Sequence, residues 1–592
     1  MILTLSCVII APFLLFGCNN FGQKNSGTQS VNQSKPETKI QNVSFTDVAE
    51  KSGVKFKHVR GDSKHKWLPE TMGSGVAWID YDGDGYQDLF FVNSREWTPE
   101  ELKKSKSVSL TSGGNASCKL FHNNKNGTFT DVTEKAHLNI PLYGMGVCVG
   151  DYDNDGKPDL YVTGLGRNYL FHNNGNGTFS EVSEKSGVKD GGWSSSAAWV
   201  DYDKDGKLDL VVCHYVDWSP ANDIPFTKNG HASYGTPNQY LGQPLTLYHN
   251  EGNGRFKEIA QKAGLRMRGD GIKAQGKSLG VVICDYDNDG LPDIAVSNDT
   301  EPNYLFHNKG KGEFEEVGQT LGMAVPDNGQ ARGAMGIDAC DYDRKGNESI
   351  VIGNFSNQML TLYHNEKGNL FRDVASQSGV GQPSLLSLSF GCFFFDLDND
   401  GWQDLFIANG HIDDDIQEDQ KLVEYAEKPL VYLNLKDGNF KDVSAQTGAL
   451  GEGKYVARGC AAADYDLSGN VSIAMSSNAG VGRLFKNGGT ANRSLRLELE
   501  GVKSNRSAIG ARVTVATPSG SQLYTVRSGS SYCSQSELPI TVGLGKEAMS
   551  GKITVLWPSG EVTDLGSLEA GQRYKVVEGK GVDSKSVLGT TR

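Results

Sequence analysis

The fold is decided by the stretch Gly75-Val-Ala-Trp-Ile-Asp80-Tyr-Asp82-Gly-Asp84-Gly-Tyr-Gln-Asp88-Leu-Phe-Phe-Val92. Its central loop carries aspartates at positions 1, 3, 5 and 9 and a glycine at position 6. The loop occurs five times in complete form, and two worn copies, Asp341-Tyr-Asp343 and Asp464-Tyr-Asp466, keep only the first two aspartates. The aspartates of the complete loops are Asp80, Asp82, Asp84, Asp88, Asp151, Asp153, Asp155, Asp159, Asp201, Asp203, Asp205, Asp209, Asp285, Asp287, Asp289, Asp293, Asp396, Asp398, Asp400 and Asp404.

Four carboxylates in one short loop indicate a cation site. Unpaired negative charges at short range repel one another strongly, and Ca²⁺ removes that cost with a flexible cage of six to eight oxygen ligands. The glycine lets the chain turn sharply round the ion. The loop is not an EF-hand, which has a Glu at position 12 between two helices, because Phe91 stands there in the first copy. We expect about five bound Ca²⁺ ions and solvated turns without an ion in the worn copies.

Two further units recur in phase with the loop and define the repeat. One is an apolar-aromatic-His-Asn unit, as in Leu120-Phe-His-Asn123, and the other follows a glycine-rich turn, as in Phe129-Thr-Asp-Val132. With the runs that flank the loop, each repeat reads as four short strands. Four strands that recur at intervals of 50 to 84 residues predict a β-propeller.

The two ends of the repeat region predict how the ring closes. The seventh His-Asn-type unit, Leu484-Phe-Lys-Asn487, has no fourth strand after it. The matching strand, Phe45-Thr-Asp-Val48, stands at the start of the repeats instead. The sequence therefore predicts an all-β chain with a seven-bladed propeller of four-stranded blades, in which the N-terminal strand completes blade seven and removes an open sheet edge.

Composition agrees with this fold and excludes one class of partner. The 592 residues include 73 glycines, which suits short strands and tight turns. The formal charge is −13, and five calcium ions would offset ten of these charges. Nucleic-acid binding needs clustered lysine and arginine, and the sequence has no basic run, so we expect no nucleic-acid partner.

The first residues are typical of a targeting segment. The stretch 5–16 is apolar except for Ser6, too short to span a bilayer as a mature helix, and it ends in Leu15-Phe16-Gly17-Cys18. This end resembles the lipobox of bacterial lipoproteins, which implies a signal peptide at 1–17, acylation of Cys18 and a flexible tether over 18–42. The expected protein is exported and held at the periplasmic or cell-surface side of a membrane by its lipid anchor alone. The alternative is ordinary secretion with cleavage nearby.

The repeats resemble the FG-GAP/VCBS type of integrin α-chain propellers, and we assign them to residues 43–489. The following segment resembles the ASPIC/UnbV domain in Asn505-Arg-Ser-Ala-Ile-Gly-Ala-Arg512, Gly529-Ser-Ser-Tyr-Cys-Ser-Gln535, Gly543-Leu-Gly545 and Trp557-Pro-Ser-Gly560. The combination is similar to the cartilage acidic protein 1-like family. Alternating apolar residues such as Leu495, Leu497 and Leu499 predict a small β-sandwich-like domain over 490–580, followed by a tail over 581–592.

Strand direction predicts a binding face opposite the calcium loops. Three long insertions, at about 94–117, 214–243 and 411–428, all leave the other ends of the strands, and function collects on loops that a rigid scaffold displays. The candidate residues on this face are His58, Trp67, His214, Tyr215, Trp218, His231 and His411.

The sequence contains no nucleophile elbow, phosphate loop or zinc-protease motif. It therefore favours a non-catalytic calcium-binding module that takes a protein or glycan ligand, although a catalytic role is not decided. The alternative is a carbohydrate-active lyase or hydrolase that uses the same face.

Overall fold

The computed structural model describes residues 43–103, 117–266 and 276–589, which all belong to one compact unit. The predicted signal peptide, Cys18 and the tether lie outside these residues. The described part is all-β apart from short helices, and none of its helices is long and apolar enough to cross a bilayer. The helices are α1 (Ala49–Ser52), α2 (Pro99–Leu102), α3 (Ser183–Ser186), α4 (Ala260–Ala263), α5 (Gly318–Leu321), α6 (Ala375–Ser378), α7 (Gly381–Ser384) and α8 (Ala449–Glu452), with 3₁₀ turns at Leu68–Thr71, Pro237–Gln239, Ile416–Glu418 and Ser444–Gln446.

The repeats form four-stranded antiparallel sheets, as the sequence predicts. Their strands are β1 (Phe45–Asp47), β2 (Val76–Ile79), β3 (Asp88–Phe91), β4 (Lys119–Asn123), β5 (Phe129–Asp131), β6 (Gly144–Gly150), β7 (Asp159–Gly164), β8 (Tyr169–Asn173), β9 (Phe179–Glu181), β10 (Ser194–Val200), β11 (Asp209–His214), β12 (Phe226–Lys228), β13 (His231–Ser233), β14 (Thr246–Gly252), β15 (Arg255–Glu258), β16 (Ser278–Cys284), β17 (Asp293–Asn298), β18 (Tyr304–Asn308), β19 (Phe314–Glu316), β20 (Ala334–Cys340), β21 (Ser349–Asn354), β22 (Thr361–Asn365), β23 (Phe371–Asp373), β24 (Ser389–Phe395), β25 (Asp404–Asn409), β26 (Leu430–Asn434), β27 (Phe440–Asp442), β28 (Ala457–Ala463), β29 (Ser472–Ser477) and β30 (Arg483–Asn487).

The sheets follow one another round a ring. Within the described residues, seven of them belong to the repeats, in the orders β2-β3-β4-β5, β6-β7-β8-β9, β10-β11-β14-β15, β16-β17-β18-β19, β20-β21-β22-β23, β24-β25-β26-β27 and β28-β29-β30-β1. The first strand of each repeat packs against the first strands of its neighbours, and β2 meets both β6 and β28. Each acidic loop joins the first and second strands of its sheet, so these loops share one face of the ring, while β12 and β13 form a separate hairpin inside the second insertion.

The N-terminal strand closes the ring in the position expected from the sequence. Strand β1 pairs antiparallel with β30, with Phe45 opposite Asn487. The Phe45 side chain is 1% exposed and packs between the last two sheets of the ring. An ion pair of 2.7 Å between Arg483 and Asp47 joins the two strands at their outer side. The first and last repeats therefore share one sheet.

The C-terminal segment is a two-sheet sandwich. Its strands are β31 (Arg493–Glu500), β32 (Arg512–Thr517), β33 (Gly520–Thr525), β34 (Ile540–Gly545), β35 (Met549–Leu556), β36 (Val562–Glu569), β37 (Gln572–Val577) and β38 (Gly581–Val587). They form the sheets β34-β31-β37-β38 and β33-β32-β35-β36 round a shared apolar core. The expected tail from residue 581 is wrong for 581–587, because this stretch pairs with β37 and extends the sheet.

The sandwich packs on the face of the ring that carries the acidic loops. Arg512 makes an ion pair of 2.7 Å with Asp285, the first aspartate of its loop. The Arg506 amide donates to the side chain of Asn154 in another loop at 2.8 Å, and the Gly545 amide donates to the Asn399 carbonyl in a third at 2.8 Å. The second domain therefore covers this face.

One segment of the sandwich, residues 529–537, enters the centre of the ring, and we call it the plug. The Ser531 amide donates to the Ile337 carbonyl at 2.7 Å. The Cys533 amide donates to the Ser196 hydroxyl at 2.9 Å. The Gln535 side chain accepts from the Val149 amide at 2.7 Å and is 1% exposed. The plug thereby bonds to the first strands of several repeats.

Small residues on the first strands make room for the plug. Five residues before the first aspartate of every loop, complete or worn, stands a glycine or, once, a serine: Gly75, Gly146, Ser196, Gly280, Gly336, Gly391 and Gly459. A Cβ at Gly75 would overlap the Cys533 carbonyl oxygen, and one at Gly336 would come within 3.1 Å of the Ser531 carbonyl oxygen. We call these seven positions the glycine ring. Gly75 leaves room for the plug, whereas at Gly280 and Gly336 a Cβ would first meet the neighbouring first strand, at the Met335 and Phe390 carbonyl oxygens.

Candidate functional site

The acidic loops fold as tight turns whose carboxylates converge. In the first loop the Asp80 carboxylate accepts from the Asp84 amide at 3.0 Å and from the Gly85 amide at 2.9 Å. Gly85 has a φ of +85°, a conformation that glycine adopts without a Cβ clash. Oxygens of Asp80, Asp82 and Asp88 lie within 4.8 Å of one another. These acidic clusters can hold metal ions.

The loops also hold carboxylate oxygens that have no protein donor. Oδ1 of Asp201 and Oδ1 of Asp285 are buried, and neither has a hydrogen-bond partner among the described residues. Leaving such a buried acceptor unsatisfied is costly. A cation in the loop would supply the missing contact, so the residues present fit an oxygen-ligated ion. In the loop of Asp285 the ion pair with Arg512 supplies part of the positive charge.

Burial and mutual repulsion perturb these carboxylates. Burial, with a contribution from the neighbouring carboxylates, raises the pKa of Asp80 to about 7 and that of Asp201 to about 7. The same causes raise the pKa of Asp293 to about 9, although an amide hydrogen bond from Asn308 opposes them. Without a positive partner, some of these groups are therefore protonated near neutral pH.

The aspartate at position 9 has a structural role as well as a charge. Asp88 accepts from the Asn123 amide at 2.7 Å and so ties the loop to the third strand. In the worn loops a serine hydroxyl makes the equivalent bond, from Asn365 to Ser349 and from Asn487 to Ser472, each at 3.1 Å. The fold thus needs a hydrogen-bond acceptor at position 9, but it does not need the negative charge of a carboxylate there.

Each worn loop lacks two of the four aspartates, and a lysine lies close to its second aspartate. Lys345 lies 2.7 Å from the Asp343 carboxylate, and Lys486 lies 2.7 Å from that of Asp466. Lys486 occupies the third-strand position where four of the complete loops have a histidine. Complete loops have such a contact as well, because Lys125 lies 3.0 Å from Asp84 and Lys436 lies 2.6 Å from Asp400. That the worn loops hold no ion therefore stays a prediction.

The sequence analysis identified the repeated histidines only as part of the recurring His-Asn unit and missed their contact with the acidic loop. Nδ1 of His122 lies 3.4 Å from Asp82 and 3.3 Å from Asp88. The hydrogen bond to Asp88 raises the pKa of His122. The same arrangement occurs at His172, His249 and His307. The recurrence of the histidine in phase with the loop was the available signal, and it marks a residue that orients the carboxylates.

The insertions leave the ring at the ends of the strands away from the acidic loops. Strand β11 begins at Asp209 in its loop and ends at His214, where the second insertion starts. Its hairpin β12–β13 reaches the third insertion, because Lys228 lies 2.8 Å from Asp413. Lys66, from the segment before the first repeat, lies 2.8 Å from Asp414. Part of the first insertion, residues 104–116, lies outside the described residues.

Six of the seven side chains expected on this face are buried. His58, Trp67, His214, Tyr215, Trp218 and His411 are each at most 4% exposed, and His231 alone is exposed. The tryptophans pack on one another, with the rings of Trp67 and Trp218 centred 5.6 Å apart, because large aromatic side chains gain most from burial. These aromatic side chains therefore support the face from inside and do not form its surface.

The histidines do not form a common site. His214 lies 3.0 Å from Asp190, at the outer end of its blade. His58 accepts from the Ala479 amide at 3.1 Å, and burial lowers the pKa of His58 to about 3. His411 accepts from the Asp413 amide at 3.0 Å, and burial lowers the pKa of His411 to about 4. His58 and His411 are thus neutral hydrogen-bond acceptors at neutral pH.

The structure forms a cavity of about 320 Å³ at the centre of this face, which we call the mouth cavity. Its lining includes Leu279, Met335 and Phe390 from the first strands, with Phe226 and Tyr234 from the second insertion and Ile412 from the third. Tyr215 and His411 also line it. The three first-strand residues stand six positions before an acidic loop, so the repeat register could have identified them. The ring of Tyr532 in the plug lies 4.9 Å from that of Phe390.

Comparison with known proteins assigns both domains. The FG-GAP-like repeat model matches residues 108–162, 151–212, 233–296, 285–352 and 396–475, and the ASPIC and UnbV model matches residues 501–583. The chain is similar to cartilage acidic protein 1 of Xenopus tropicalis, with 26% identity over 365 residues, 55% of this chain and 53% of that protein. The human protein of that name is 25% identical over 334 residues, 55% of this chain and 46% of that protein. The chain spans about half the length of these relatives.

Among solved structures, an Agrocybe aegerita lectin that recognises non-reducing terminal N-acetylglucosamine is 17% identical, with a TM-score of 0.36 over 69% of this chain and 87% of that chain. The combination of an FG-GAP propeller with an ASPIC/UnbV domain fits an interaction module. The chain belongs to the family of FG-GAP-repeat proteins that end in an ASPIC/UnbV domain.

Proposed function

We propose that the chain is an exported, lipid-anchored interaction module that binds a protein or glycan ligand with the insertion face of a calcium-stabilised propeller. The observation that carries the proposal is that the two faces of the ring carry different structures. The C-terminal domain covers the acidic-loop face, whereas the opposite face holds the hairpin β12–β13 and the mouth cavity. Cavities of this size with a few polar groups are typical ligand sites.

Calcium has a structural role in this proposal. The complete loops would hold the ions through the aspartates at positions 1, 3 and 5, with the aspartate at position 9 oriented by its histidine where one is present. The support is that serine replaces the position-9 aspartate in the worn loops without loss of the loop-to-strand hydrogen bond. The bound ions would balance charge and fix the turns on which the C-terminal domain packs. Their sites lie away from the proposed ligand face.

The membrane anchor makes a direct prediction. Changing Cys18→Ser should move the protein from the membrane fraction to the soluble exported fraction, because acyl chains supply the affinity for the bilayer. Fractionation followed by immunoblotting measures the shift. Ser6→Ala, within the same leader, is the matched control and should leave the protein in the membrane. Retention of the Cys18 variant in membranes would argue against lipid anchoring at this residue.

The proposed ligand face is tested by removing its hairpin. Replacing residues 226–233 with Gly-Gly should abolish capture of any ligand selected from a glycan array or a displayed peptide library, because Phe226 and Lys228 line the cavity. The two ends of the hairpin are paired, Phe226 opposite Ser233, so the short turn can span them. Metal content and thermal midpoint should stay unchanged. Ligands that still bind the variant with full affinity would refute this assignment of the face.

A further inference from the structure

We propose that the mouth cavity is a pocket for one aromatic side chain of a protein partner, flanked in that partner by basic residues. This inference rests on the proposed function and chooses between its two ligand classes. Two properties of the cavity carry it: the predominantly apolar character of its walls and the acidic segment beside it.

The walls favour an apolar group over a sugar. The floor is made by Leu279, Met335 and Phe390, which are at most 3% exposed. Ile412 and Phe226 add apolar surface at the sides. A buried sugar needs hydrogen-bond partners for most of its hydroxyls, since an unsatisfied buried hydroxyl is costly. An aromatic side chain gains its affinity from the apolar area that it buries.

Tyr234 forms part of the cavity wall and is fixed by a basic side chain. Its side chain is 5% exposed and lines the cavity. Its hydroxyl is buried and has no hydrogen-bond partner within the described part of the chain. The ammonium of Lys66 lies 4.8 Å from the centre of the Tyr234 ring and holds the ring in place. The lining also contains a few polar side chains, among them Asn238 and Gln358, so the cavity suits an aromatic ring that carries one polar group, a phenol or an indole.

The floor of the pocket is rigid. The Arg458 guanidinium lies 3.9 Å from the centre of the Phe390 ring. This arginine is fully buried and donates to the backbone carbonyls of Thr71 and Gly410 at 2.8 and 2.9 Å. Below, the Tyr532 hydroxyl donates to the Met72 carbonyl at 3.2 Å. A pocket with fixed walls loses little entropy when a side chain enters, which favours a hot-spot contact.

The rim is acidic and predicts the charge of the partner. The segment 411–419 contributes Asp413, Asp414, Asp415, Glu418 and Asp419. The basic groups near it are Lys66, which pairs with Asp414, and Lys228, which contacts Asp413, Asp415 and Asp419. Arg60, beside the Tyr425 hydroxyl at 3.5 Å, is the third. The excess of negative charge attracts lysine or arginine on either side of the inserted ring.

The experiment compares short peptides and sugars on the full chain by calorimetric titration at low salt. The probes are the capped tripeptides Lys-Tyr-Lys, Lys-Phe-Lys, Lys-Ala-Lys and Glu-Tyr-Glu, with the methyl glycosides of glucose and N-acetylglucosamine. Lys-Tyr-Lys should bind at least about tenfold more tightly than Lys-Ala-Lys, the effect of one hot-spot side chain. It should bind about 3- to 10-fold more tightly than Lys-Phe-Lys, because only the tyrosine hydroxyl can bond to the polar side chains of the lining. Glu-Tyr-Glu should bind more weakly than Lys-Tyr-Lys.

Two variants locate the binding. Met335→Trp should fill the cavity and weaken the binding of Lys-Tyr-Lys and Lys-Phe-Lys by at least about tenfold. Leu422→Trp, on the same insertion but 78% exposed, is the control and should change neither. If Met335→Trp fails to fold, the peptide and sugar series still decides.

Three outcomes overturn the inference. Tighter binding of a methyl glycoside than of Lys-Tyr-Lys would make the cavity a sugar site. Equal binding of Lys-Tyr-Lys and Lys-Ala-Lys would exclude an aromatic pocket, and so would unchanged affinity in a folded Met335→Trp variant. The proposed function fails separately, when selected ligands bind the hairpin replacement as tightly as the natural chain. A further result is binding that is lost on hairpin replacement but keeps full affinity in the Met335→Trp variant. That result would support the assignment of the ligand face and exclude only the aromatic pocket.

Discussion

Deleting residues 43–50 is expected to open the ring and make the chain aggregate. The deletion removes β1, which pairs with β30, and the buried side chains Val43 and Phe45, each 1% exposed. Full burial of one such side chain contributes roughly 1.5–3 kcal/mol, so the loss is a large share of a net stability of about 5–15 kcal/mol. The third strand β30 becomes a free edge that can pair with another copy. Light scattering after gel filtration should show aggregates.

Deletion of residues 19–40 is the control for this experiment. These residues belong to the expected tether, and their removal should leave the chain monomeric with an unchanged thermal midpoint. A monomeric chain of unchanged stability after deletion of 43–50 would contradict the closing role of β1.

Chelation of divalent cations is expected to lower the thermal midpoint by many degrees, and added calcium should restore it. Exported calcium modules bind with dissociation constants on the order of 10⁻⁴–10⁻³ M. An ion at ten times its dissociation constant stabilises the fold by roughly 1.4 kcal/mol per site. Five such sites would contribute roughly 7 kcal/mol, comparable to the whole net stability of many domains. Native mass spectrometry should count about five ions.

Two matched variants test whether the complete loops are responsible. Asp155→Asn, in a complete loop, should lower the metal count by about one. Asp343→Asn, in a worn loop that pairs with Lys345, should leave the count unchanged. No bound metal together with no effect of the chelator would refute the calcium assignment.

The pH dependence without calcium has a definite sign. Burial raises the pKa of Asp80, Asp151 and Asp201 to about 7 in the folded chain, against about 3.9 in an unfolded chain. A raised carboxyl pKa means that the folded state holds protons more tightly, so stability is present at low pH and is lost as the pH rises towards 7. In chelator the thermal midpoint should fall between about pH 4 and about pH 7. Calcium should remove this fall because the ion compensates the carboxylate charge.

The propeller and its closure could be predicted from the sequence, because both depend on short segments that repeat along the chain. Gly85 and the aspartates around it specify a turn without help from distant residues, and Phe45-Thr-Asp-Val48 matches the fourth strand of the other repeats. The contact of His122 with Asp82 depends on how the third strand lies against the loop. That geometry arises between elements, so a strand-by-strand reading did not show it.

The remaining differences concern packing between distant parts of the chain. Trp67 and Trp218 were expected on the binding face. They are buried instead, because aromatic residues from separate loops pack against one another. The strand Gly581–Val587 is mostly exposed and alternates weakly, so its sequence resembles a tail although its backbone completes a sheet. The plug was the least predictable feature, since Cys533 meets Ser196 across more than 300 residues.

The glycine ring means that the two domains cannot be recombined freely in evolution. A larger residue in place of Gly75 would exclude the carbonyl group of Cys533, whereas Ser196 at the equivalent position accommodates the plug by bonding to the Cys533 amide. Compatibility with this type of C-terminal domain therefore depends on the residue five positions before an acidic loop, which can be identified in any related sequence. A repeat chain that keeps the glycines at the positions of Gly75 and Gly146 has room for the backbone of such a domain. A repeat chain that has lost them should use its central channel for something else.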